Sequence, residues 1–240
     1  MPHAVARVRQ QRLAQSTKPF VARGARVVRC ERCRVSQTFC ACAWLPTAQG
    51  EVGVCLLMHD YESLKPSNTG WLIADTLKNT IAFTWQRTEV DPELLALLSD
   101  PQWFPMVIFP AEYAQAERVV EHVPSELGAS GKKPLFIILD ATWTEARKMF
   151  RKSPYLDRFP VLSLHPQAIA RYRLRRGRTA EHLCTAQVAA LCLELAGEAT
   201  VANTLTAWLE VFSDHYLAAR DNKTPDISDL AHKTLVVCDA

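Results

Sequence analysis

Four cysteines, Cys30, Cys33, Cys40 and Cys42, fall within thirteen residues in the pattern C-x2-C-x6-C-x-C. Thiolates spaced this closely can surround one Zn²⁺ ion tetrahedrally and fix a segment too short to fold by itself. The four are therefore expected to be ligands of a structural zinc. The alternative is a set of reduced, unligated thiols. A redox pair is a poorer fit, because no strand leads into Cys30 as it would in a thioredoxin-like unit. Cys55, Cys184 and Cys192 lie in apolar patterns and read as core residues.

Three further groups of polar residues follow apolar runs. In Leu135-Phe136-Ile137-Ile138-Leu139-Asp140-Ala141-Thr142-Trp143-Thr144-Glu145 a strand pattern ends and a helix pattern begins at once. Thr142 with Glu145 three residues later forms a capping box. Asp140 then lies at the carboxyl end of a strand, the edge where open α/β sheets bind ligands. A carboxylate there can orient a substrate or accept a proton, and Trp143 offers a flat face to a base. Local physics allows equally that Asp140 is a second cap and Trp143 is core. The second group, from His59 to Gly70, contains Ser67, Asn68 and Thr69, which open a helix and present polar groups to a ligand; a solvent loop with an ordinary cap is the alternative. The third, Arg171, Arg173, Arg175, Arg176 and Arg178 with Tyr172, leads to Thr185, which can cap the next helix. Its arginines could hold phosphates, or form a solvated basic loop.

The elements that must position these groups alternate in type. Strands are expected near residues 52–58, 81–84, 106–109 and 135–139, with a weaker fifth at 161–164. They are apolar on both faces, as in a parallel sheet covered by helices. Helices are expected at about 68–79, 92–98 and 142–151. A further one follows Thr185, with Gly197 to close it, and a last one spans 203–219. Such alternation predicts an α/β fold with a mostly parallel sheet. Four segments are delimited: a basic N-terminal arm (1–28), a zinc-binding knuckle (29–50), an α/β domain (51–219) and a C-terminal tail (220–240). The 240 residues carry a net charge of only +3, yet nine basic residues and a single acid, Glu31, fall in the first 50. Two basic blocks on a nearly neutral chain suit a polyanionic partner, though each alone could be solvated surface. No run of eighteen apolar residues occurs, so no membrane span is expected. The first residues lack the apolar stretch of a secretory signal, and a cytoplasmic location is expected.

Taken together, the cysteine pattern, His59 with Glu62 and Asn68-Thr69, Leu139-Asp140-x-Thr142-Trp143, and Thr185 before an alanine-rich helix resemble the DTW-domain family. The resemblance runs from about Arg29 to Ala219 and covers residues 51–219 as the catalytic domain. It implies a SPOUT-like fold, with a trefoil knot left open, an arrangement no residue pattern would suggest because knots are so rare. It also implies S-adenosylmethionine as donor and tRNA as partner, with the 3-amino-3-carboxypropyl group attached to N3 of a uridine in the variable loop. On that basis Asp140, Thr142 and Trp143 are the expected catalytic residues. His59, Asn68, Thr69 and Thr185 are assigned to the donor pocket, and Arg171, Arg173, Arg175 and Arg176 to RNA. Two departures stand out: Gln187 occupies a position where the family often has Glu, and nothing before Cys30 matches a motif. A SPOUT-type RNA methyltransferase and a non-catalytic zinc-dependent RNA-binding protein are the competing readings. Oligomeric state is not encoded in any pattern found.

Overall fold

A computed structural model describes residues 2–18, 26–125, 127–165 and 183–236. The expected runs form strands β1 (Gly53–Met58), β2 (Thr80–Thr84), β3 (Trp103–Ile108), β5 (Lys133–Asp140) and β6 (Val161–Leu162), joined by a two-residue β4 (Val119–Val120). All six pair in parallel, in the order β2-β1-β5-β3-β6-β4. The chain thus has the α/β architecture expected, a parallel sheet flanked by helices. β1 and the apolar part of β5 are buried on both faces, which is why their sequences lack polar alternation.

The alternation is present as a division between two cores. Val54, Leu56, Met58, Phe136 and Ile138 pack with helices α2 (Gly70–Thr76), α6 (Thr185–Leu195) and α7 (Ala199–Asp221). Cys55, Leu57, Leu135, Ile137 and Leu139 pack with α3 (Pro92–Ser99) and α5 (Trp143–Arg151) on the opposite face. A short α4 (Leu127–Ser130) precedes β5, and α8 (Leu230–Val236) packs on α7. The register sets Met58 beside Asp140, and the His59 N–H donates to the Asp140 carbonyl at 2.9 Å. Both central strands therefore end at the same edge.

Several boundaries differ from the pattern for physical reasons. α2 starts at Gly70 because Asn68 uses its side chain to accept the Trp71 N–H at 3.0 Å. It ends at Thr76, after which Leu77 is extended and the chain turns into β2. α6 has Cys184 at its cap position, with the Cys184 N–H donating to Gln187 at 2.9 Å, so the Thr185 hydroxyl is free for another partner. Gly197 follows α6 with a φ of +83°, as a helix stop requires. The N-terminal residues form a helix, α1 (Ala4–Ala14), which the sequence pattern does not announce. It buries only Ala4, Val5 and Val8, against the turn Glu62–Leu64 and α2, a stripe too narrow to stand out. Residues 166–182, between β6 and α6, lie outside the described residues.

Candidate functional site

Asp140 closes β5 and is 3% exposed. Its Oδ2 accepts from Asn68 Nδ2 at 2.7 Å and its Oδ1 from the Thr185 hydroxyl at 2.6 Å. Thr69 Oγ1 accepts the Ala186 N–H at 3.3 Å. Groups separated by more than 40 residues on each side thus meet at one strand end. Gly70 is required by this closeness, since a Cβ there would lie 2.7 Å from Asp140 Oδ2. Burial pushes the Asp140 carboxyl from its ordinary 3.8 up to about 6, against the opposing effect of the hydrogen bonds from Thr185 and Asn68.

A second set lies beside the first. The Thr142 hydroxyl and N–H both donate to Glu145, at 2.6 and 3.1 Å, completing the expected capping box. The other oxygen of Glu145 lies 3.4 Å from His59 Nδ1. Burial opposes ionisation of Glu145, but the Thr142 donors and His59 together hold its carboxyl below the ordinary range. The His59 ring stacks against Trp85 at 6.2 Å, so it is oriented on two sides. Trp143 is 47% exposed and is therefore no core residue; it stacks on Phe109 at 5.5 Å and meets the edge of Tyr113 at 5.8 Å.

Next to this aromatic group runs an open groove of about 530 Å³ lined by Tyr113, Arg118, Arg147, Lys148, Arg151 and, as its one acid, Asp157. Arg147 lies over the Tyr113 ring at 4.9 Å. The sequence reading missed this basic face. Its signal was present, as Thr144, Arg147, Lys148 and Arg151 at helical spacing on α5. Arg171, Arg173, Arg175 and Arg176, the arginines singled out instead, lie outside the described residues.

The four cysteines meet as their spacing suggests. Cys30 and Cys42 sulfurs are 3.5 Å apart, Cys33 and Cys40 sulfurs 3.7 Å, and all four lie within 4.8 Å of one another. A tetrahedron with Zn–S bonds of 2.3 Å has edges of about 3.8 Å, so the cluster fits a structural metal ion. Arg34, in the left-handed region at φ 67°, makes the tight turn between the first two cysteines and Val35. Asp75, fully enclosed, ties this knuckle down. It pairs with Arg32, accepts from Trp208 Nε1 at 3.1 Å and lies 3.5 Å from His3 Nε2.

The fold and its edge cluster define a parallel α/β domain with a buried polar cluster at the carboxyl ends of its strands and a four-cysteine knuckle that fits a metal ion. The family model described as the DTW domain matches residues 27–217, and the chain belongs to the DTW-domain family. It is 24% identical over 172 residues to tRNA-uridine aminocarboxypropyltransferase 2 of Drosophila melanogaster, a match covering 69% of this chain and 65% of that relative. The chain thus spans a little under two thirds of that relative's length. No solved structure matches.

Two outcomes test this geometry. Elemental analysis is expected to find one metal ion per chain, lost on Cys40→Ser; full metal content in that variant would contradict the ligand set. For Asp140 the sign is set by a folded-state value raised above the ordinary one. The ionised carboxylate opposes folding above about pH 6, and that opposition is relieved as the pH falls toward 4. Denaturant titrations of the metal-loaded protein should show wild type gaining on Asp140→Asn between pH 7 and 5, by about 1 kcal/mol. A difference that stays flat with pH would contradict the burial argument.

Proposed function

We propose that the protein modifies tRNA, moving the 3-amino-3-carboxypropyl group of S-adenosylmethionine to N3 of a uridine in the variable loop and releasing methylthioadenosine. The observation that carries this reading is the meeting of Asn68, Asp140 and Thr185 at one strand edge, within a domain of the family to which the named aminocarboxypropyltransferase relates.

The donor's sulfonium makes the attached carbons electrophilic. Transfer forms the N3–carbon bond, breaks the carbon–sulfur bond with its electron pair going to sulfur, and releases the N3 proton. Selecting the γ-carbon over the methyl group is a matter of positioning. Asn68, Thr69 and Thr185 are the polar side chains that would hold the amino and carboxylate ends of the donor. Asp140 serves as a positioning residue, because both of its oxygens already accept hydrogen bonds from side chains of that pocket. The proton then needs another acceptor. An imidazole suits that role near neutral pH. The His59 ring, oriented by Glu145 and Trp85, has Nε2 without a partner among the described residues.

Trp143 and Tyr113 offer the acceptor base a stacking face, and Arg147, Lys148 and Arg151 offer its phosphates a basic wall. The arginines at 171, 173, 175 and 176 are further candidates for RNA phosphates by their charge alone. The cysteine knuckle would carry structural zinc. The domain 51–219 would be the catalytic unit, and the cytoplasm, where tRNA and donor coexist, its working place.

Incubation with tRNA and donor, followed by mass analysis of nucleosides and of the small product, decides the chemistry. Methylthioadenosine and a 3-amino-3-carboxypropyl uridine are expected, and His59→Ala should lower turnover by about 10²-fold. Adenosylhomocysteine would indicate methyl transfer and contradict the reading. Binding of tRNA with no affinity for the donor would leave only an RNA-binding protein.

A further inference from the structure

A second cavity, of about 580 Å³, opens between α1 and the cysteine knuckle, with Trp71 of α2 as its floor. Its walls carry Arg9 from α1 and Arg32 and Arg34 from the knuckle, against a single acid, Glu31. Arg32 is engaged by Asp75. Arg9 is not engaged. Its Nε and Nη1 are shut off from solvent and have no hydrogen-bond partner among the described residues. A guanidinium keeps its charge at any physiological pH, and a desolvated charged donor without an acceptor is costly. Arg9 and Glu31 make no ion pair among the described residues. Burial holds the Arg9 guanidinium below its ordinary value, with Glu31 opposing. Arg34 lies over the Trp71 ring at 5.5 Å, and its guanidinium likewise has no acceptor among the described residues. Two guanidinium groups on the walls of one open cavity, neither paired with a carboxylate among the described residues, suit an oxyanion.

The cavity adjoins the strand-end site. The Trp71 N–H donates to Asn68, the residue that donates to Asp140. Arg12, on the same helix as Arg9, pairs with Asp60, next to His59, and lies over the Tyr61 ring at 5.2 Å.

We propose that the cavity between α1 and the knuckle is a phosphate site, in which Arg9 and Arg34 grip a backbone phosphodiester of the RNA that the proposed function gives as substrate. The inference rests on that reading and gives the N-terminal helix its role, anchoring RNA beside the site.

The test measures the affinity of the metal-loaded full chain for tRNA over a range of KCl concentrations. Wild type is compared with Arg9→Gln, Arg9→Lys, Arg34→Gln and, as a control at the opposite edge of the sheet, Lys132→Gln. Donor affinity is measured on each by calorimetry. Arg9→Gln and Arg34→Gln are each expected to weaken tRNA binding about tenfold and to reduce the log–log salt slope by about 1, with Arg9→Lys intermediate and donor affinity retained. Wild-type affinity and slope in both Gln variants would overturn the site. Should Arg9→Gln lose its metal or its fold, Arg34→Gln carries the decision alone. A titration with inorganic phosphate separates the sources. Saturation by phosphate with no competition against tRNA would assign the cavity to a free anion and overturn the RNA assignment. A wild type that modifies tRNA while the variants bind normally removes only this inference. A wild type with no affinity for tRNA removes the proposed function as well.

Discussion

One buried carboxylate organises the edge of this sheet. Asp140 cannot be enclosed without acceptor demand being met, and the demand is met by two side chains from elsewhere in the chain, Asn68 and Thr185. The parallel register of β1 with β5 brings the loop after Met58 to Asp140, and the start of α6 completes the triangle. Gly70 leaves the space, and Thr69 joins the loop to α6 through the Ala186 N–H. Removing any one partner would leave a desolvated polar group, so loop, strand and helix hold one another in place.

Much of this was legible in the residues. Strands buried on both faces are written as unbroken apolar runs, and the Thr142–Glu145 capping box fixes the start of α5 to the residue. The cysteine spacing encodes its own cluster. What escaped has particular causes. Thr185 follows an extended residue and precedes a helix, so it reads as a cap, but Cys184 occupies that position and the hydroxyl points its proton at Asp140. No local rule reports a partner 45 residues away. α1 buries three small or β-branched residues and otherwise shows charge, so its periodicity is lost in a basic composition. β4 has two residues and gains its place only from pairing with β6. Trp143 could be either core or surface by sequence; its exposure depends on Phe109 and Tyr113, which tertiary packing supplies.

The N-terminal knuckle and the C-terminal helices form one supporting body. His232 Nδ1 lies 2.8 Å from Asp229, its Nε2 lies 3.2 Å from that of His215, and His215 Nδ1 lies 2.9 Å from the Phe39 carbonyl. Trp44 packs on both imidazoles. This chain of contacts joins α8 and α7 to the residue before Cys40, while Asp75 joins the other end of the knuckle to α2 and α7. Since α2 follows directly on Asn68 and Thr69 and carries Asp75, one short helix links the cysteine knuckle to the strand-end cluster.

The central claim is that Asp140 acts by holding Asn68 and Thr185 in the donor pocket, and donor titration of Asp140→Asn and Thr185→Val measures it most directly. Calorimetry with S-adenosylmethionine on the metal-loaded proteins should show affinity reduced by about tenfold or more in each variant. The double variant should lose much less than the sum of the two free-energy changes, because the residues act through one hydrogen bond. Wild-type donor affinity in Asp140→Asn, with turnover abolished, would contradict the account and return Asp140 to the role of proton acceptor.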